Sequence, residues 1–146
     1  FASEALSNLK RIAGLEMQHG RPLIEDALFA AEIAKLEIAL MAMATTNLRV
    51  VSAAAEGQAP GVESSMLKIK GTVIRQEINH LTRAACGPYA MPFVSEALEQ
   101  GSNVEAVGPD YAMPATADYF NNRKLSIYGG SNEVQKQIIA KTMLEV

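Results

Sequence analysis

From residue 27 to residue 56 the chain repeats apolar side chains at steps of mostly four and three: Phe29, Ile33, Leu36, Leu40, Met43 and, past Asn47, Val51. That is the seam spacing of a packed helix pair. Leu28, Ile38, Met41, Leu48 and Val50 lie off the seam, and a helix apolar on more than one face belongs inside a bundle. At 1.5 Å per residue such a segment spans about 45 Å. Asp26 stands where a side-chain oxygen can accept from the free amides of the first turn. Gly57, Pro60 and Gly61 end the segment.

The flanking sequence obeys the same period. Leu6, Leu9, Ile12 and Ala13 predict a first helix over 3–19, stopped by Gly20 and Pro22. Met66, Ile69, Val73, Ile74, Leu81 and Ala84 predict a third over 62–86, ended by Gly87 and Pro88. Residues 87–109 are rich in Gly, Pro, Ser and Asn and read as irregular, with a short helix at 93–99. Pro114 suits a helix first turn, placing a fourth helix at 115–124. After Gly129 and Gly130, Ser131 is a good N-cap and Glu133 favours the positive helix start. Val134, Ile138, Ile139 and Met143 give the last helix an apolar stripe expected to be buried. No strand alternation of convincing length and no repeat of fixed period appears. The expected fold is all-α, an up-and-down four-helix bundle with one longer connection.

Composition narrows the function classes. Hydrophobic residues make up 49% and charged residues 20%, which describes a globular chain with a real core. A net charge of −3 offers no basic stripe for nucleic acid. The single cysteine, Cys86, excludes an internal disulfide framework and fits a reducing compartment, so a cytoplasmic protein is expected. No apolar run reaches bilayer-spanning length; the richest, 33–44, is interrupted by Lys35 and Glu37. The opening at Phe1 lacks the basic start and apolar core of a signal peptide. The absence of an initiator Met there leads us to expect a processed or excised chain. His19, His80 and Cys86 have no zinc-ligand spacing, so no metal site is expected. Cys86 reads as a small core residue, and the seven Met residues as core gap-fillers.

The run GGSNE at 129–133 carries the most local information. Two glycines permit positive φ or close backbone approach. Ser131 then opens a helix whose free amides can bind an anion such as a phosphate. The same residues equally suit a plain turn with an ordinary N-cap. The run lacks the Lys of a P-loop and no strand precedes it. None of the 16 acidic residues is singled out by its spacing as a base.

The tail RKLSIYGGSNEVQKQIIAK at 123–141 closely resembles the C-terminal signature of acyl-CoA dehydrogenases. ESSMLKIKGT at 63–72 and GPYA at 87–90 resemble the bacterial branch of that family, in the same order and spacing. The resemblance implies a subunit with an N-terminal helical domain, a middle β-domain and a C-terminal four-helix bundle. Residues 1–146 would be the bundle alone, with the other two domains absent. It further implies FAD lying between the β-domain and the bundle, with a neighbouring subunit completing the site. The reaction implied is α,β-dehydrogenation of an acyl-CoA thioester, in fatty acid metabolism, with electrons passing to an electron-transfer flavoprotein.

By the same resemblance, Tyr128, Gly129 and Gly130 would lie near the thioester, and Ser131, Asn132 and Glu133 would face the flavin nucleotide. Many members carry the catalytic Glu directly after the Tyr. Gly129 stands there in this chain and has no group to accept a proton. The base would then come from an upstream helix, or the chain would be a catalytically silent helical subunit of a mixed oligomer, or its parent would have another activity. Asp26 and Ala27 stand where relatives carry a flavin-contacting Gln. The segment from Cys86 to Ala90 replaces a Gly-Gly-x-Gly loop that touches the partner's flavin. The isolated bundle is expected to be inactive, to hold FAD weakly or not at all, and to self-associate as a dimer, tetramer or mixed oligomer. A generic four-helix binding bundle is the remaining alternative.

Overall fold

The computed structural model describes residues 2–59 and 61–144. Helix α1 (Ala2–Leu15) leads into a two-stranded antiparallel hairpin, β1 (Met17–Gln18) and β2 (Arg21–Pro22), then a 3-10 turn at Leu23–Glu25. Helices α2 (Ala27–Ala55) and α3 (Glu63–Cys86) follow. Two 3-10 turns, Gly87–Ala90 and Glu96–Leu98, lie in the long connection to α4 (Met113–Asn121). A third, Asn122–Ser126, precedes the final helix α5 (Asn132–Leu144). The all-α bundle expected from the sequence is what forms. No helix among the described residues is long and apolar enough to cross a membrane.

Local signals placed α2 well. The Asp26 carboxylate accepts from the amides of Leu28 (3.1 Å) and Phe29 (2.9 Å), closing two of the free donors of the first turn. Three boundaries differ from the sequence expectation. Helix α1 stops at Leu15 rather than running to residue 19, because His19 (φ 50°) and Gly20 (φ 77°) form a two-residue reversal that pairs Met17 with Pro22 and Gln18 with Arg21. Positive φ at both central residues matches the right-handed twist of paired strands, and His is among the residues that tolerate it. The helix expected at 93–99 contracts to the single turn Glu96–Leu98. The fourth helix begins two residues earlier than expected and tightens into 3-10 geometry at Asn122.

Helix α3 is the hub, packing against α1, α2, α4 and α5. The core lies mainly where α1 and the first half of α2 meet α3: Leu9, Ile12 and Ile78 are at most 1% exposed. Burying each such side chain contributes roughly 1.5–3 kcal/mol. Cys86 is buried in the same cluster, as expected. Burial and the nearby Glu16 carboxylate push its thiol pKa up to about 11. Tyr119 of α4 receives the guanidinium groups of Arg83 (5.2 Å) and Arg123 (4.5 Å) against its ring, which helps fasten α4 to α3.

Two burial expectations fail. The stripe of α5 is largely open: Val134, Ile138 and Met143 are 47%, 44% and 65% exposed, Ile139 is half-buried, and α5 has no buried residue. Most off-seam residues of α2 are likewise uncovered: Leu28, Ile38, Met41 and Leu48 are all at least 65% exposed, and only Val50 is half-buried. Period fixes which residues share a face, but a face is buried only if another element reaches it. Among the described residues α5 has one principal neighbour, α3, and the exposed side of α2 meets no other element. The methionines follow the same rule. Met17, Met41, Met66, Met91 and Met143 are exposed, leaving only Met43 and Met113 as partial gap-fillers.

Candidate functional site

Residues Tyr128, Gly129, Gly130, Ser131, Asn132 and Glu133 form one continuous turn that opens α5. Gly129 (φ 68°) and Gly130 (φ 81°) both take the left-handed region, where a side chain is disfavoured. Gly129 faces open space, with nothing within 4 Å of where a Cβ would stand. Gly130 does not: a Cβ there would come within 2.5 Å of Gln135 Nε2. That amide donates to the Gly129 carbonyl at 3.3 Å and so folds the turn back on the first turn of α5.

Ser131 is the N-cap the sequence called for. Its Oγ accepts from the Val134 amide at 3.3 Å, and its carbonyl accepts from Gln135 N at 3.0 Å. Asn132 is engaged across the bundle, its Oδ1 accepting from Lys68 Nζ of α3 at 2.8 Å. The Glu133 carboxyl is held below its ordinary range, first by its own backbone amide, then by the Ser131 hydroxyl, and more weakly by Lys136 and Lys68. The free positive end of α5 thus already has an anion, supplied by the chain itself. Tyr128 is 53% exposed and, like Gly129 and Gly130, stands on the open side of the turn.

The depressed Glu133 pKa has a definite sign. The carboxylate contributes stability that is fully present above the unfolded value, about 4.5, and is lost as pH falls through the lower folded value. Acid unfolding of Glu133→Gln, followed by circular dichroism, is therefore expected to show a shallower loss of stability below about pH 4.5 than the wild type. Parallel curves would remove Glu133 from the cap.

What holds this turn in place is a polar stripe on α3 whose role sequence reasoning missed. Gln76 Nε2 donates to the carbonyl of Asn122 (3.1 Å) and to Ser126 Oγ (2.9 Å). Thr72 Oγ1 reaches the carbonyl of Leu125 at 3.3 Å, and Asn122 Nδ2 donates to Asn79 Oδ1 at 2.9 Å. With Lys68, these residues stand at 68, 72, 76 and 79, a stripe of polar groups at helical spacing. The spacing showed a polar face; the structure adds that Thr72 and Asn79 on it are buried, and buried polar groups require partners. The stripe fixes the arm from Asn122 to Ser126 and so aims the glycine turn outward.

Chemically, the site offers an exposed, side-chain-free backbone ledge beside a phenol, on a rigid arm, with a capped helix start behind it. It suits close approach of a flat or extended ligand. It supplies no proton acceptor at Gly129. The Glu133 carboxylate is committed to the helix cap.

The geometry can be set beside known proteins. The sequence model described as acyl-CoA dehydrogenase, C-terminal domain, matches residues 1–144. No curated protein sequence gives a significant match. Among solved structures, butyryl-CoA dehydrogenase of Megasphaera elsdenii superposes with a TM-score of 0.75 at 17% identity, covering 98% of this chain and 33% of that one. A chain from a structure titled for the electron transferring flavoprotein of Acidaminococcus fermentans gives 0.76 at 16% identity, covering 99% and 33%. The ChsE4–ChsE5 complex of Mycobacterium tuberculosis gives 0.71 at 20% identity, covering 99% and 35%. The chain therefore spans about a third of the length of each of these structures. These likenesses establish the fold. With the family match over nearly the whole chain, they lead to one assignment: the chain belongs to the acyl-CoA dehydrogenase family, as its C-terminal helical domain.

Proposed function

We propose that this domain forms one wall of a flavin and acyl-CoA cleft in a dehydrogenase that oxidises the α,β-bond of acyl-CoA thioesters. The observation that carries the reading is the outward-facing ledge of Gly129 and Gly130, backed by the Ser131-capped start of α5. The residues fit a flavin in a specific way. Gly129 has nothing within 4 Å of where a Cβ would stand, so the ledge is open for a ligand to approach. Tyr128 stands exposed beside it, available to the thioester end of a substrate. Ser131, Asn132 and Glu133 keep the helix start in place behind the ledge, with Asn132 tethered to α3 through Lys68. When bound, FAD would supply the hydride acceptor.

The α-proton must go to a carboxylate outside the ledge, because Gly129 has none to offer. The base would come from sequence upstream of this domain, or from another subunit. The open apolar faces of α2 and α5 support assembly with further domains or subunits, since exposed patches of this kind mark interaction surfaces. An electron-transfer flavoprotein would reoxidise the flavin. Gly129 also favours a second reading, a silent subunit that shapes its partner's site without reacting itself.

The full-length protein carrying this domain separates these readings. Purified with FAD and titrated anaerobically with short- and long-chain acyl-CoAs, it is expected to lose flavin absorbance on substrate addition. Retained flavin that no acyl-CoA bleaches would favour the silent reading. Failure to hold FAD in any assembly would sink both. The isolated domain is expected to bind FAD weakly or not at all, because the β-domain wall is missing.

A further inference from the structure

The connection between α3 and α4 is tied at its two ends and hardly at all between them. At one end the Thr116 hydroxyl donates to the carbonyl of Ala90, and Gly108 packs against the Tyr89 ring. At the other, the Tyr111 hydroxyl donates to the Glu16 carboxylate at 2.9 Å, with the Arg11 guanidinium 5.6 Å from the centre of its ring. Glu16 is itself anchored: its amide donates to Ile12 O at 2.9 Å, and its carbonyl accepts from Leu23 N at 2.8 Å. From 92 to 107, every hydrogen bond among the described residues closes inside the segment, such as Leu98 N to Ser95 O and Ser102 N to Glu99 O. Phe93 and Val104 are 58% and 49% exposed.

Near the Tyr111–Glu16 tie lies Cys86, the only cysteine of the sequence and 1% exposed. Tyr111 packs on the same buried cluster, and the Glu16 carboxylate is close enough to raise the thiol pKa. Segments with few buried contacts and self-contained hydrogen bonds open far below the cost of global unfolding. We propose that residues 91–110 form a strap latched to the end of α1 by the Tyr111–Glu16 bond, and that release of this latch is the route by which Cys86 meets solvent. The inference is independent of the flavin reading.

The intact chain provides the test, because its one thiol reports the opening. Tyr111→Phe keeps the ring, the Arg11 contact and the Glu16 charge, and removes only the hydroxyl. It is expected to speed labelling of Cys86 by a chromogenic disulfide reagent roughly 10-fold, the shift associated with losing a hydrogen bond to a charged group. Ile33→Val, a mild trim on α2, calibrates what global destabilisation alone does to the labelling rate. Glu16→Gln is the weaker variant, because it also removes a charge that, after burial, raises the thiol pKa. An unchanged rate in Tyr111→Phe overturns the latch, as does an increase no larger than its loss of global stability in urea explains. A protease specific for Glu gives a second readout on the wild type, since Glu96, Glu99 and Glu105 lie in the strap. First cuts at those three support it, and first cuts within a helix overturn it.

Discussion

Replacing Ile78 by alanine is expected to destabilise the chain by roughly 4 kcal/mol, because the side chain is 1% exposed on the helix that every other helix packs against. The loss has two parts: the transfer free energy of the removed carbons, and the cavity left when the elements packed around α3 cannot collapse together. Domains of this size hold only about 5–15 kcal/mol in total, so the variant would sit near the edge of folding. Urea denaturation followed by circular dichroism checks it, through a lower midpoint at unchanged slope. Ile78→Val, which removes one methyl carbon, should lose only about 1 kcal/mol. A loss below about 1 kcal/mol for the alanine variant would mean that the core is not centred on α3.

The second large effect concerns the ledge. Gly130→Val is expected to destabilise the turn by about 2 kcal/mol and to strip flavin from the full-length protein. Two causes add. Valine at φ 81° carries the left-handed penalty of a β-branched residue. Its Cβ also meets Gln135 Nε2, so the Gln135 bond to the Gly129 carbonyl must break. Gly129→Ala isolates the first cause, since its Cβ enters open space, and should lose about half as much. Gly130→Asn should recover part of the loss because Asn tolerates positive φ. The measurements are thermal unfolding of the domain and flavin content of the full-length protein. Full flavin retention in Gly130→Val would show that the ledge does not border the cofactor.

Much of the fold was readable because its causes are local. Asp26 and Ser131 cap the helices they precede, and each does so through atoms two or three residues away. The limits of α2 follow from its period and from Gly57. The hairpin at 17–22 escaped because its strands are two residues long, too short for any alternation to show. The long connection was rightly read as irregular, yet its latch joins residues 95 apart in sequence. Of the site, the glycine turn and its cap were legible. The arm that aims it was not, although the stripe of Lys68, Thr72, Gln76 and Asn79 could have been recognised as a face needing partners.

Local spacing by itself decided the helices, their capped ends, the backbone bend at Gly129 and Gly130, and the lack of a proton acceptor at that bend. These depend on neighbouring dihedrals and on residue identity, which a sequence states directly. Tertiary structure alone decided that α5 and the outer side of α2 stay open, that Gln76 reaches an arm some fifty residues away, and that Asn132 is tethered to Lys68 of α3. The physical reason is common to all three. Periodicity defines a face, but only the arrival of another element in space determines whether that face meets protein or water.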